Sequence, residues 1–405
     1  MTQQRNVTLT NTVDAVEMRA ALKDCFFKSG LDNPIVNNAM ITVADGLVLV
    51  EGTDLSNAVK RSMWGDQEER GTAQVQIAHA DLKAIFAKIK GNVHLEFGYT
   101  DGDPYLAINH QRKEWFLPSE PTDKAPPYFP MNTAEKRFVV PAHVFMPALK
   151  AHGLIRCDER ARYCLGGTHF VVGSGYVDLT STDGRRLQTD SIPGSIGGPG
   201  DTVLIHGNLL DRVAASAVFK KAGSAQVTVE WDGSRVWIEV CGQEFAATLP
   251  KDEFPPVEKL LEKTAGQDTD WFKAEKTHLL EAVEAVCGFH GMVGDKAGLM
   301  TLATDLSVSV AAEERDDGRG FECGVVGGVT DEIDRKIEGS YNSYYLQAAI
   351  KACPGTYCYF RQATGGMVQV ANDYRDPSYR HIVMPMTVQG GEVEEEETES
   401  AEQAA

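Results

Sequence analysis

The residues whose types could support catalysis are few and scattered. Asp183, in the segment TSTDGRRL (180–187), is a candidate catalytic carboxylate, but an Asp-Gly pair is first a turn former. His169 and His206 stand in no nucleophile-triad context and read as structural. The eight Cys include no CxxC pair; the closest two, Cys353 and Cys358, have four residues between them. With no HExxH either, a zinc site of common spacing is not expected, nor is any other metal or cofactor. The Gly-rich stretches GSIGGPG (194–200) and GVVGGV (324–329) match neither GxxxxGK[ST] nor GxGxxG, so both read as loops. No spacing in the chain demands chemistry, and the expectation is a protein that is not an enzyme.

The composition is that of a globular protein, with 405 residues, 42% hydrophobic and 24% charged. No run of 18 apolar residues and no apolar segment behind the N-terminus is present, so a cytoplasmic location is expected. The formal charge is −19, and the final stretch QGGEVEEEETESAEQAA (389–405) holds seven Glu and no Lys or Arg. That stretch reads as a solvated tail; without its seven charges the remainder is still −12. Any contact with nucleic acid must therefore be local.

The elements that would position a site repeat along the chain. Six amphipathic helical segments, each followed by strand-like stretches, start near Val13, His79, Pro141, His206, Glu275 and Tyr341, at intervals of about 66, 62, 65, 69 and 66 residues. Leu82, Ile85, Phe86 and Ile89 mark the buried face of the second helix, and Leu209, Leu210, Val213 and Ala217 that of the fourth. ITVADGLVLVEGTD (41–54) and VTVEWDGSRVWIEV (227–240) read as hairpins turning at Asp45-Gly46 and Asp232-Gly233. One such unit cannot bury its sheet face alone. Pairing consecutive copies gives an α+β protein of three similar domains, each two βαβ-strand repeats, at 1–134, 135–266 and 267–388, followed by the 389–405 tail. The Pro-rich stretch 118–130 suits a linker. Rotational pseudo-symmetry of this kind points to a ring closed by oligomerisation.

Several motifs carry a family resemblance across about residues 10–388. These are PIVNNAMITVADGLVLVEGTDLSNAV (34–59), RYCLGGTHF (162–170), TSTDGRRLQT (180–189), DEFPPVEKLL (252–261), YLQAAIKAC (345–353) and VMPM (383–386). In this order and spacing the sequence resembles the bacterial DNA sliding clamp, the beta subunit of the replicative DNA polymerase. The resemblance implies a homodimeric ring with helices inside and sheets outside. Such a ring encircles duplex DNA, tethers polymerase, clamp loader and repair proteins, and confers processivity without catalysis. Two alternatives remain open: a clamp paralogue, or a ring-shaped scaffold that does not slide on DNA.

The resemblance implies two sites. Inner-helix cations would meet phosphates loosely: Lys23, Lys28, Lys83, Lys88, Lys90, Lys150, Arg156, Arg212, Lys220, Lys221, Lys276 and Lys351. Against this stands the reading of a merely solvated helix face, which favours Lys anyway. An acidic exterior around a basic hole reconciles the net charge with a DNA partner. A cleft between the second and third domains would take a short Q-L-x-L/F-F-like peptide. Its positions here are Leu165, Thr182, Gly184, Arg185, Arg186, Leu187, Pro255, Leu260, Met367, Val383, Met384, Pro385 and Met386. The unbranched thioethers suit a site that repacks around different partners. The dimer interface is expected at Trp115 and Leu117 against Phe289 and Met292. Departures from the family are Arg185 in place of a frequent His, Gly166 in place of Asn, Thr387-Val388 at the usual terminus, and Leu31-Asp32-Asn33 without a basic residue before Pro34.

Overall fold

Helix starts follow directly from local chemistry. In the computed structural model, Asp14 ends the first strand and caps α1 (Ala15–Cys25), its Oδ1 accepting from the amides of Val16 (2.8 Å) and Glu17 (3.0 Å). The structure describes residues 5–27, 33–67, 70–122, 129–157, 164–194, 198–264, 271–292, 299–304, 307–312, 321–326, 340–375 and 377–386. Within these the further helices are α2 (Pro34–Asn37), α3 (His79–Phe86), α4 (Ala142–Gly153), α5 (Gly207–Ala215), α6 (Ala217–Lys221), α7 (Glu258–Thr264), α8 (Lys276–Met292) and α9 (Ser343–Ala352). His206 Nδ1 accepts from the Asn208 amide at 3.2 Å and caps α5. Asn342 Oδ1 caps α9 through the amides of Tyr344 and Tyr345.

The six expected helical segments are all present, and they pack in consecutive pairs: α1 on α3, α4 on α5, α8 on α9. Leu82, Phe86, Ile89, Leu209, Leu210 and Val213 are buried, as helical spacing requires; Ile85 and Ala217 are half-buried. The fourth segment is not one helix. It breaks at Ser216, whose backbone is extended (φ −57°, ψ 137°). The Ser216 hydroxyl donates to Gln243 Oε1 at 2.6 Å, and its Oγ accepts from the first amides of α6. A buried side-chain bond thus outweighs continuation of the helix.

The chain divides into two compact units, Met1–Pro256 and Val257–Ala405. In the first unit a five-stranded antiparallel sheet runs in the order Asp66–Gln67, Arg5–Asp14, Asn92–Thr100, Asp103–His110, Lys113–Pro118. An eight-stranded sheet runs Lys136–Pro141, Gln226–Trp231, Arg235–Val240, Gln243–Thr248, Asn57–Trp64, Leu47–Thr53, Asn38–Ala44, Thr72–Ala78. Thr202–His206, Gly167–Val172, Tyr176–Thr182 and Arg186–Pro193 pair in that order as well. In the second unit Phe272–Glu275 pairs with Tyr357–Gln362, which pairs with Val368–Ala371 and then Tyr379–Val383. Phe321–Val326, Ser307–Ala312, Leu299–Thr304 and Ser340–Asn342 form its other sheet. The first hairpin turns at Asp45 (φ 48°) and Gly46 (φ 87°), as an Asp-Gly turn should. The second closes differently: Asp232 Oδ1 accepts from the amides of Ser234 (2.7 Å) and Arg235 (2.8 Å).

The Lys136–Pro141 to Thr72–Ala78 sheet runs across the first and second pairs of repeats. It joins strands from the first and second pairs of repeats through the register Gln243↔Arg61, Phe245↔Val59 and Ala247↔Asn57. Beneath this seam Arg61 Nη1 meets Asp24 Oδ2 at 3.0 Å, with only 13% and 8% of the two side chains exposed. Gln243 Nε2 donates to the same oxygen at 3.2 Å. Gly52 lies here because a β-carbon would overlap the Cys25 carbonyl oxygen at the end of α1. Replacing Arg61 by Ala leaves the Asp24 carboxylate buried without its cation. We expect the variant to lose about 3 kcal/mol of unfolding free energy by urea titration, with Asp24→Asn in the same chain restoring part of it. A loss below about 0.5 kcal/mol would mean that the pair does not support the seam.

Candidate nucleic-acid and peptide interfaces

In the first unit the four long helices form a continuous layer. α1 packs on α3 and α4 on α5. The two pairs are tied by Arg212 of α5, whose Nη1 donates to the carbonyls of Asp24 (3.1 Å) and Phe26 (2.8 Å) at the C-terminal end of α1. Its guanidinium carbon lies 3.7 Å from the Phe27 ring centroid. Exposed cations sit along this layer: Lys23, Lys83, Lys88, Lys90, Lys150, Lys220 and Lys221.

Not every expected phosphate contact has a free cation. Arg156 is buried, hydrogen-bonded to Thr168 Oγ1 at 3.3 Å and ion-paired with Asp211. Arg212 is spent on carbonyls, and burial pushes its pKa down. Lys276 is half-buried and donates to the carbonyls of Lys351 (3.0 Å) and Cys353 (2.6 Å) at the end of α9. Lys351 is exposed but stands 2.8 Å from Glu284. Arg156, Arg212 and Lys276 are therefore corrected to structural positions, because their donors already serve carboxylates and helix-end carbonyls. Lys28 lies outside the described residues.

The expected peptide positions fall in both units. In the first unit Thr182 Oγ1 donates to the Arg186 carbonyl at 2.6 Å, and Gly184 turns the chain at φ 88°. Asp183 is fully engaged: Oδ1 accepts from the amides of Arg185 (2.9 Å) and Arg186 (3.0 Å), and Oδ2 from Arg186 Nε at 2.9 Å. Arg186 Nη2 also donates to the Leu154 carbonyl at 2.6 Å, fixing the turn to the end of α4. Gly184 and Arg185 are exposed, Leu165, Arg186 and Pro255 half-buried, and Thr182 and Leu187 buried. In the second unit Met384 (40%) and Pro385 are exposed, Leu260 and Met386 half-buried, and Met367 and Val383 buried.

At the expected dimer edge, Trp115 and Leu117 face inward and pack on the core of the first unit. Strand alternation turns Phe116 outward instead, 38% exposed, with Tyr105 4.8 Å away and the Arg5 guanidinium carbon 4.8 Å from its ring centroid. This corrects Trp115 and Leu117: their side chains are used within the unit. The side chains of Phe289 and Met292 lie outside the described residues, although α8 includes both.

One chemical arrangement was not anticipated. His152 Nδ1 is 2.9 Å from Ser181 Oγ, and its Nε2 is 2.9 Å from Asp190 Oδ2. The three residue types are those of a nucleophilic triad, but Nε2 makes no hydrogen bond to Asp190. Ser181 and His152 are both 0% exposed, and Ser181 Oγ donates to Thr168 Oγ1 at 3.0 Å. No substrate carbonyl reaches that oxygen, so the chain of bonds acts as an internal brace between α4 and its sheet. Its only sequence signal was the alternation of Ser181 within its strand. Among the described residues no cluster of three or more His, Cys, Asp or Glu is placed to hold a metal, and no helix is long and apolar enough to cross a membrane.

No protein-family model matches the sequence, and no curated protein matches it. Solved structures do. A beta sliding clamp of Caulobacter crescentus is 19% identical, with a TM-score of 0.80 over 94% of this chain and 99% of its own. The DNA polymerase III subunit beta of Pseudomonas aeruginosa is 15% identical, with a TM-score of 0.80 over 94% and 100% of the two chains. The DNA polymerase III beta subunit of Thermotoga maritima is 16% identical, with a TM-score of 0.77 over 94% and 100%. The fold is that of the sliding clamps, α+β with antiparallel sheets and paired helices.

The sorting of cations has a direct consequence for stability. Asp211→Ala removes the carboxylate paired with the buried Arg156 and is expected to cost about 2 kcal/mol in thermal unfolding. Lys150→Ala removes an exposed, uncommitted cation and should stay within about 0.5 kcal/mol of the parent. Equal losses in the two variants would contradict the assignment.

Proposed function

We propose that this protein is a DNA sliding clamp, a non-catalytic processivity factor that encircles duplex DNA and tethers a replicative polymerase and other replication and repair proteins. The observation that carries this reading is the fold likeness, which extends over 94% of the chain to proteins described as DNA polymerase III beta subunits. Two further features support it. The first unit presents a continuous helix layer bearing uncommitted lysines, which is what a sequence-blind, mobile phosphate contact needs. The chain as a whole is acidic, at −19, so attraction to duplex must come from local groups of cations such as these. The DNA-contacting set in this proposal is Lys23, Lys83, Lys88, Lys90, Lys150, Lys220 and Lys221, with Lys351 contributing when it exchanges away from Glu284. The domain limits 1–134, 135–266 and 267–388 and a cytoplasmic location belong to the same reading.

The protein is proposed to act as a homodimer, using the outer edge of the strand Lys113–Pro118 and the outward Phe116. A strand at the end of a sheet presents unpaired amides and carbonyls, and an aromatic beside them adds apolar area. Partner proteins are proposed to dock a short apolar peptide on Leu165, Gly184, Arg185, Arg186, Pro255, Leu260, Met384, Pro385 and Met386. The paralogue and scaffold readings are kept apart from this one by behaviour, since neither would hold a polymerase peptide and DNA together.

Fluorescence anisotropy of a labelled Q-L-x-L-F peptide tests the partner site. Saturable binding is expected, and Met384→Ala should weaken it by about 2 kcal/mol, the cost of truncating an apolar anchor at a hot spot. Unchanged affinity in Met384→Ala would remove this residue set from the proposal.

A further inference from the structure

Between α1 and α3 the first unit holds a pocket of about 450 Å³. Its walls are apolar: Val16 and Ala20 from α1, Leu22 and Phe86 at depth, and Phe26 and Ala87 beside the opening. The volume falls within the range of about 300–1,000 Å³ typical of small-molecule sites. Packing of the two helices would ordinarily close such a gap. Here two struts hold them apart. At one end Arg19 donates to the carbonyls of Phe86 (3.0 Å) and Ile89 (2.6 Å), past the last turn of α3. At the other, His79 Nε2 is 2.6 Å from the Leu22 carbonyl. Two of the lining residues, Ala20 on α1 and Ala87 just past α3, are small and leave the space unfilled.

The opening keeps apolar surface in water at a cost. Val16 is 58% exposed and Phe26 38%, although the next residue, Phe27, is fully inside. The rim is cationic. Lys23 and Lys83 are exposed and line the pocket, and Lys83 Nζ sits 5.3 Å from the Phe26 ring centroid. Neither makes an ion pair among the described residues. Arg19 is committed to its carbonyls, and burial holds His79 neutral by pushing its pKa down. The available charge is thus positive and confined to two ammonium groups above an apolar cavity.

We infer that this pocket binds a small amphiphilic anion, an aromatic or aliphatic body seated between Ala20 and Ala87 with its acidic group at Lys23 and Lys83. Apolar burial would supply affinity and the two ammonium groups orientation. The inference rests on the geometry of this helix pair and not on the proposed function.

8-Anilinonaphthalene-1-sulfonate is a suitable probe, with the uncharged N-phenyl-1-naphthylamine as its comparison. Titration of the full-length protein followed by fluorescence should give saturable binding at one site per chain. Ala20→Phe fills the pocket and is expected to abolish that binding while the thermal midpoint is retained. Lys83→Ala, on the surface, should weaken the sulfonate by about threefold or more and leave the uncharged probe unchanged. A folded Ala20→Phe chain that binds the sulfonate as the parent does would overturn the inference. If Ala20→Phe fails to fold, the Lys83→Ala comparison decides alone: equal effects on both probes, or none on either, overturn it.

Discussion

The structure of the first unit depends on the seam where Asn57–Arg61 pairs with Gln243–Ala247. Two sheet halves, nearly two hundred residues apart in sequence, become one only if their edges are joined there. Backbone pairing alone would leave the choice of edge loosely specified, and the side chains beneath specify it. Asp24 accepts from both Arg61 and Gln243, Gln243 accepts from Ser216, and Lys60 meets Glu244 across the strands at 2.8 Å. The inner members Asp24, Arg61, Gln243 and Ser216 satisfy one another and fix one register, because a shift would strand the Asp24 carboxylate in the interior. The same set determines where helices end. Asp24 lies in the last turn of α1, and Ser216 is the break between α5 and α6. Arg212 then carries the connection from α5 to the carbonyls at the C-terminal end of α1. The helix layer is continuous because the sheet beneath it is.

In the proposed function, that layer is the phosphate-facing surface of an acidic protein. Cations already hydrogen-bonded to helix-end carbonyls or ion-paired with a carboxylate hold the scaffold in shape, and Arg156, Arg212 and Lys276 belong to this class. The lysines left over project on flexible stems into water, where contacts with phosphates form and break readily. Arg156 and Arg212 hold the scaffold through the planar fork of donors, Lys276 does so with its ammonium on two carbonyls, and the exposed lysines remain mobile point charges.

Much of the architecture was legible in the sequence because it is local. The period of helical segments, the buried stripe Leu82–Phe86–Ile89 and the Asp45-Gly46 turn all depend on residues a few positions apart. The seam was not legible, since strand edges carry no mark of a distant partner. Nor could the cations be sorted by type or spacing: Arg156 and Lys150 sit six residues apart on the same segment, yet one is buried against Asp211 and the other is free. The facing of the edge strand was misjudged because Trp115, Phe116 and Leu117 are all apolar, which erases the alternation that normally assigns faces. Among the peptide positions, Met384 and Pro385 are accessible, whereas Leu187 and Val383 are buried, a distinction that hydrophobicity alone does not contain.

The central claim is that the chain holds DNA by enclosure, with phosphates touched only in passing. Retention on closed circular duplex tests it most directly. The protein, loaded by a clamp loader onto a nicked circular plasmid, should co-elute with the DNA through gel filtration at high salt, where a counterion-dependent contact is lost. Linearising the plasmid should release it. Equal loss from circular and linear DNA as salt rises would show that charge alone holds the duplex and would contradict the account.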